Sequence, residues 1–72
     1  MMKIKSGIYK HYKGSLYKVM GCVQHSETEE WLVSYQALYG EYGYWVRPYG
    51  MFVENVVLDG VEVPRFKLMV ED

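Results

Sequence analysis

The turn signals in this chain recur at the spacing of a small all-β fold. Gly7, Lys13-Gly14, Ser26 to Glu30, Gly40 to Gly43, Pro48 to Gly50 and Asp59-Gly60 cut the sequence into short runs, each of about five to ten residues, the length of ordinary strands. Within the runs the side chains alternate. From Ser15 to His25, the positions Tyr17, Val19, Gly21, Val23 and His25 share one mostly apolar face, while Leu16, Lys18, Met20, Cys22 and Gln24 form a mixed one. From Trp31 to Leu38, the positions Trp31, Val33, Tyr35 and Ala37 oppose Leu32, Ser34, Gln36 and Leu38. This period of two marks half-buried strands.

Three local signals sharpen the pattern. Gly21 in mid-strand predicts a bulge or a sharp bend. Pro48 ends a short strand from Tyr44 to Arg47 and leads into a single turn of 3₁₀ type through Phe52. Asp59-Gly60 between two valine-rich runs predicts a hairpin with a type I′ turn, because both central residues must take positive φ. Short strands in a chain this size have few ways to hide their edges, and partial closure is the commonest. The expected fold is therefore a small, SH3-like, partly open β-barrel of five or six short strands with at most single helical turns. Residues 1–6 read as an N-terminal arm, 7–68 as one domain and 69–72 as a C-terminal tail.

The chain has 72 residues, so a single domain must bury its core densely to be stable. Half the residues are hydrophobic and eight are tyrosines, which supplies that density and excludes a disordered tail. Cys22 is alone, so no disulfide and no zinc framework can help. A lone thiol and the lack of any apolar run long enough for a signal peptide or membrane span point to the cytoplasm. Lys3, Lys5, Lys10, Lys13 and Lys18 precede every acidic residue, yet the net charge is −1. A basic segment can bind phosphate. The overall balance favours the reading of outward lysines on a first strand.

Five blocks in order carry a resemblance. They are His11-Tyr12-Lys13-Gly14, His25-Ser26-Glu27-Thr28, Tyr35-Gln36-Ala37-Leu38-Tyr39-Gly40, Trp45-Val46-Arg47-Pro48 with Met51-Phe52, and Val63-Pro64-Arg65-Phe66. Together they resemble the bacterial DUF1653 family from about Gly7 to Phe66. The resemblance implies a small SH3-like barrel in bacteria and no activity, because the family is defined by unknown function. The chain departs from the family pattern at Gln36, where arginine is usual, and at Ser34, where an aliphatic residue is usual.

The candidate ligand-binding residues are His25, Ser26, Glu27, Thr28, Tyr35, Tyr39, Trp45 and Arg47. The segment from His25 to Thr28 is a polar loop at a strand end, readable as ligand-facing or as a capping box between Ser26 and Glu29. Arg47 lies among aromatic residues, where a guanidinium can stack while its fork holds a carboxylate or phosphate. Its structural alternative is an ion pair with Glu41, Glu54 or Glu62. Tyr39 to Trp45 places four aromatics in seven residues, enough to line a groove for proline-rich or modified-lysine segments or to cover the barrel end. Cys22 and His25 fall on opposite faces, which argues against a catalytic pair. The expected function is a non-catalytic module binding a small molecule or peptide, without cofactor, metal or membrane, as a monomer or weak homodimer. The alternatives are a nucleic-acid-associated domain and, less favoured, an enzyme using His25 and Glu27.

Overall fold

The computed structural model describes residues 3–72; residues 1 and 2 of the expected N-terminal arm lie outside it. The strands are β1 (Gly7–His11), β2 (Leu16–Gln24), β3 (Trp31–Ala37), β4 (Tyr44–Pro48), β5 (Asn55–Leu58), β6 (Val61–Pro64) and β7 (Phe66–Glu71), with one helical turn, α1 (Tyr49–Phe52). Five strands form an antiparallel sheet in the order β4-β3-β2-β1-β7, and β5 pairs with β6. The fold is small and all-β, and no closed barrel forms. The seventh strand is β7, whose ladder with β1 runs to the Gly7–Glu71 pair, beyond the domain end expected at residue 68. The turn after Pro48 is α rather than 3₁₀, closed by the Val53 N–H donating to the Tyr49 carbonyl at 3.1 Å.

The β5–β6 turn forms at Asp59 and Gly60, with φ of 52° and 79°. The Gly21 signal marks a real irregularity, and its consequence is larger than a bend. The β2–β3 register shifts between Val19 and Gly21, so that Cys22 pairs with Val33 and Val23 with Leu32. An extra residue in one strand moves every later side chain to the opposite face. The inner face of β2 therefore runs Tyr17, Val19, Cys22. Cys22 packs against the core, while Val23, expected inside, is exposed.

The core consists of Tyr9, Val19, Val33, Tyr35, Phe52 and Phe66. It holds the sheet in a curl. Four strand spacings of about 4.8 Å would put β4 and β7 roughly 19 Å apart in a flat sheet. Instead the Arg47 guanidinium of β4 lies 5.5 Å from the Phe66 ring of β7. The sheet curls enough to bring side chains of its two edge strands together in a concave mouth.

Candidate ligand-binding site

Phe66 is the hub of that mouth. Its ring stacks on Phe52 at 4.2 Å between centroids with planes 4° apart. Edge contacts join it to His11 at 5.0 Å and Tyr17 at 5.5 Å, and Tyr35 lies tilted at 6.2 Å. Strand pairing explains the convergence. His11 pairs with Phe66 across β1–β7, Tyr35 with Trp45 and Val33 with Arg47 across β3–β4. Residues directly opposite in a ladder share a face, so these side chains all project into the curl.

Arg47 is the only cation of the expected set and it has no acidic partner. Of the acids expected to compete for it, Glu54 pairs with Arg65 at 2.6 Å and Glu62 accepts from Asn55 at 2.9 Å. No Arg47 ion pair forms with any described residue. Its Nε, like that of Arg65, is buried without a hydrogen-bond partner, while its guanidinium carbon sits over the Phe66 ring. The surroundings are positive. Burial, then Arg47, Arg65 and Lys13, push the His11 imidazole below its usual range, and His11 Nδ1 accepts the Lys13 N–H at 3.1 Å.

Tyr17 and Tyr39 close one side of the mouth through a hydroxyl–hydroxyl bond of 3.0 Å. Burial, and then the hydrogen bond and charge of Tyr39, push Tyr17 up to about 12. A tyrosine whose folded pKa exceeds the unfolded value of about 10 stabilises the native state below that value. This contribution fades as pH rises from 10 through 12. Ultraviolet titration at 295 nm is therefore expected to show a late-ionising tyrosine absent in Tyr17→Phe, with stability falling over the same window. Simple titration of Tyr17 near 10 would refute the assignment.

Beyond Tyr39, a cavity of about 270 Å³ is lined by Ala37, Tyr39, Gly40, Glu41, Gly43 and Trp45. A larger cleft of about 340 Å³ lies between the β5–β6 hairpin and Lys10, His11, Tyr12 and Lys67. It contains none of the expected site residues.

The eight candidates divide into two groups. Tyr35, Tyr39, Trp45 and Arg47 line the mouth or its adjoining cavity. His25, Ser26, Glu27 and Thr28 form an exposed turn beyond the Gln24–Trp31 pair. That turn lies about 20 Å along β3 from the Ala37 end where Tyr39 sits. It is internally satisfied: His25 Nδ1 accepts the Glu27 and Thr28 N–H groups at 3.1 and 3.3 Å, and Thr28 Oγ1 accepts the Glu30 N–H at 3.2 Å. The cap is built on His25 and Thr28, not on the Ser26–Glu29 pair. His11, Tyr17 and Phe66 belong to the mouth and are absent from the expected set. Two of them stand in the resemblance blocks at either end of the chain, and Tyr17 shares its strand face with buried Val19.

Residues 7–68 match the family described as "Protein of unknown function (DUF1653)". The chain is similar to a protein belonging to DUF1653 from Bordetella bronchiseptica, known from a crystal structure. Identity is 32%, coverage 92% of this chain and 87% of that one, and the TM-score 0.84. No curated protein matches the chain.

Proposed function

The chain belongs to the DUF1653 family, and we propose that it is a non-catalytic binding module whose SH3-like curl receives an anionic group at Arg47. The observation that carries this reading is a guanidinium that lies over the Phe66 ring and, unlike Arg65, has no acidic partner among the described residues. A carboxylate or phosphate in the mouth can engage the guanidinium fork in two parallel charge-assisted bonds. Tyr35, Tyr39 and Trp45 give the body of the ligand its apolar walls. The lone, partly buried Cys22 is consistent with a bacterial cytoplasmic setting.

The nucleic-acid reading has less support. Lys10 and Lys18 alternate with Tyr9 and Tyr17, so the basic stretch faces away from the stacking rings. Catalysis by His25 and Glu27 has less still, because His25 meets the backbone N–H of Glu27.

The test is an NMR titration with benzoate and phenyl phosphate. Shifts are expected at the Arg47 side chain, Phe66 and Tyr35, and the bound negative charge should raise the pKa of His11. Arg47→Ala is expected to weaken binding roughly ten- to hundredfold. It should cost only about 1 kcal/mol of stability, the value of its stacking on Phe66. Loss of several kcal/mol, or unchanged anion binding, would sink the reading.

A further inference from the structure

Strand β4 is open on its outer side, because the sheet order begins with it. Its side chains are exposed on both faces: Tyr44 by 72%, Trp45 by 61% and Val46 by 55%. Exposed edges are usually protected by lysines, bulges or a covering element. Between Tyr44 and Val46 there is no charge, and the β3–β4 register has no shift.

The parity of the ladder settles which backbone groups are free. The Ala37 N–H donates to the Gly43 carbonyl at 2.9 Å. Hydrogen-bonded pairs recur every second residue in an antiparallel ladder, so Tyr35–Trp45 and Val33–Arg47 are the next two. The backbone groups of Trp45 and Arg47 are therefore used by β3, and those of Tyr44 and Val46 point outward. Pro48 has the same parity as Tyr44 and Val46, so its missing N–H falls on the open side and ends the edge there.

Resting on the reading of Arg47 above, we infer that this edge receives an extended peptide bearing a carboxylate and a cation two residues apart. Main-chain bonds to Tyr44 and Val46 add the peptide as a sixth strand of the large sheet. Its side chains opposite Trp45 and Arg47 then face the mouth, about 7 Å apart. The acid meets Arg47. The base meets the Trp45 ring, which folds back over Gly43, where an added Cβ would sit 3.2 Å from the indole Nε1. Glu41 lines the same cavity and is in no ion pair with a described residue. An aromatic face beside a carboxylate suits a lysine or arginine side chain. A second copy fits poorly: antiparallel β4–β4 pairing about Trp45 would set Arg47 against Gly43, and pairing about Tyr44 would set it against Glu41, which lies in the turn outside the strand.

The experiment uses acetylated, amidated heptapeptides of valine and threonine carrying one glutamate and one lysine at separations of one to four residues. Binding to the full chain is followed by amide NMR. Affinity is expected to peak at a separation of two, with shifts at Tyr44 and Val46. N-methylation of the peptide amides that face β4 should weaken binding at least tenfold, as should Val46→Pro, which removes an outward N–H and leaves the β3 bonds in place. Indifference to both changes, or a preference for another separation, overturns the inference. So does failure of all the peptides to bind, or dimerisation of the protein alone with Tyr44 and Val46 protected. If benzoate still shifts Arg47 while the peptides fail, strand addition falls and the anion site stands; if benzoate fails too, both fall.

Discussion

Phe66→Ala is expected to destabilise the protein by about 3–5 kcal/mol, the range for deleting a large buried aromatic side chain. The ring is 6% exposed and meets residues from all four of the sheet's other strands and from α1. Its removal leaves a void bordered by Phe52, Tyr35 and Tyr17, all attached to different elements. These elements cannot collapse together without uncurling the sheet. Urea denaturation measures the loss, and the Arg47 side chain should become mobile in the variant if it remains folded. A loss below 1 kcal/mol would show that Phe66 is not the hub. For a domain with few buried side chains, the full effect leaves little net stability.

Gly7→Ala is expected to cost about 3 kcal/mol or more, because overpacking and backbone strain act together. Gly7 has φ of 147°, a region that residues with a side chain rarely adopt. A Cβ there would collide with the Val70 carbonyl oxygen and sit 3.0 Å from the Glu71 Cα. Both neighbours are backbone, so relief requires β1 and β7 to separate at this end. Gly60→Ala is the control. Gly60 also has positive φ, but an added Cβ meets nothing within 4 Å, leaving only conformational strain of about 1 kcal/mol. Equal melting curves for the two variants would refute the argument from close approach.

The parts of the fold legible in the sequence are those set by local chemistry. Asp59-Gly60 makes its hairpin turn, and the Trp31, Val33, Tyr35, Ala37 face is the inner face of β3. The face of β2 was legible only as far as Val19. Gly21 announced an irregularity, but a glycine does not reveal how many residues the register will slip. The slip decides whether Cys22 or Val23 enters the core. Strand β7 was hidden for a different reason. Its inner residues, Phe66 and Leu68, are followed by exposed Met69 and Val70, so the strand ends without a polar alternation or a turn signal.

The candidate site was half legible. Arg47 with Tyr35 and Trp45 followed from their shared strand faces and the proline that stops β4. His11 and Phe66 come together only because the first and last strands are paired, a non-local fact that periodicity does not encode. The His25 to Thr28 segment lies apart from the mouth, at the far end of β3. Its polar side chains resemble a ligand loop, but two of them serve the backbone of their own turn.

The β1–β7 pairing also bears on how quickly the native state can be reached. The meander of β2, β3 and β4 joins neighbours in sequence, whereas Gly7 must find Glu71 and His11 must find Phe66. Bringing such distant segments together carries a loop-closure entropy of roughly 3–4 kcal/mol, recovered only when Phe66 docks. Topologies dominated by distant pairings fold in milliseconds to seconds, not microseconds. The seam is therefore the natural late event, and mutations at Gly7 should chiefly accelerate unfolding. Before the seam closes, β1 keeps its hairpin partner β2 but its other edge and that of β7 are unpaired, and the chain presents these raw strand edges to other copies. Rapid closure of this seam shortens the time during which those edges can template aggregation.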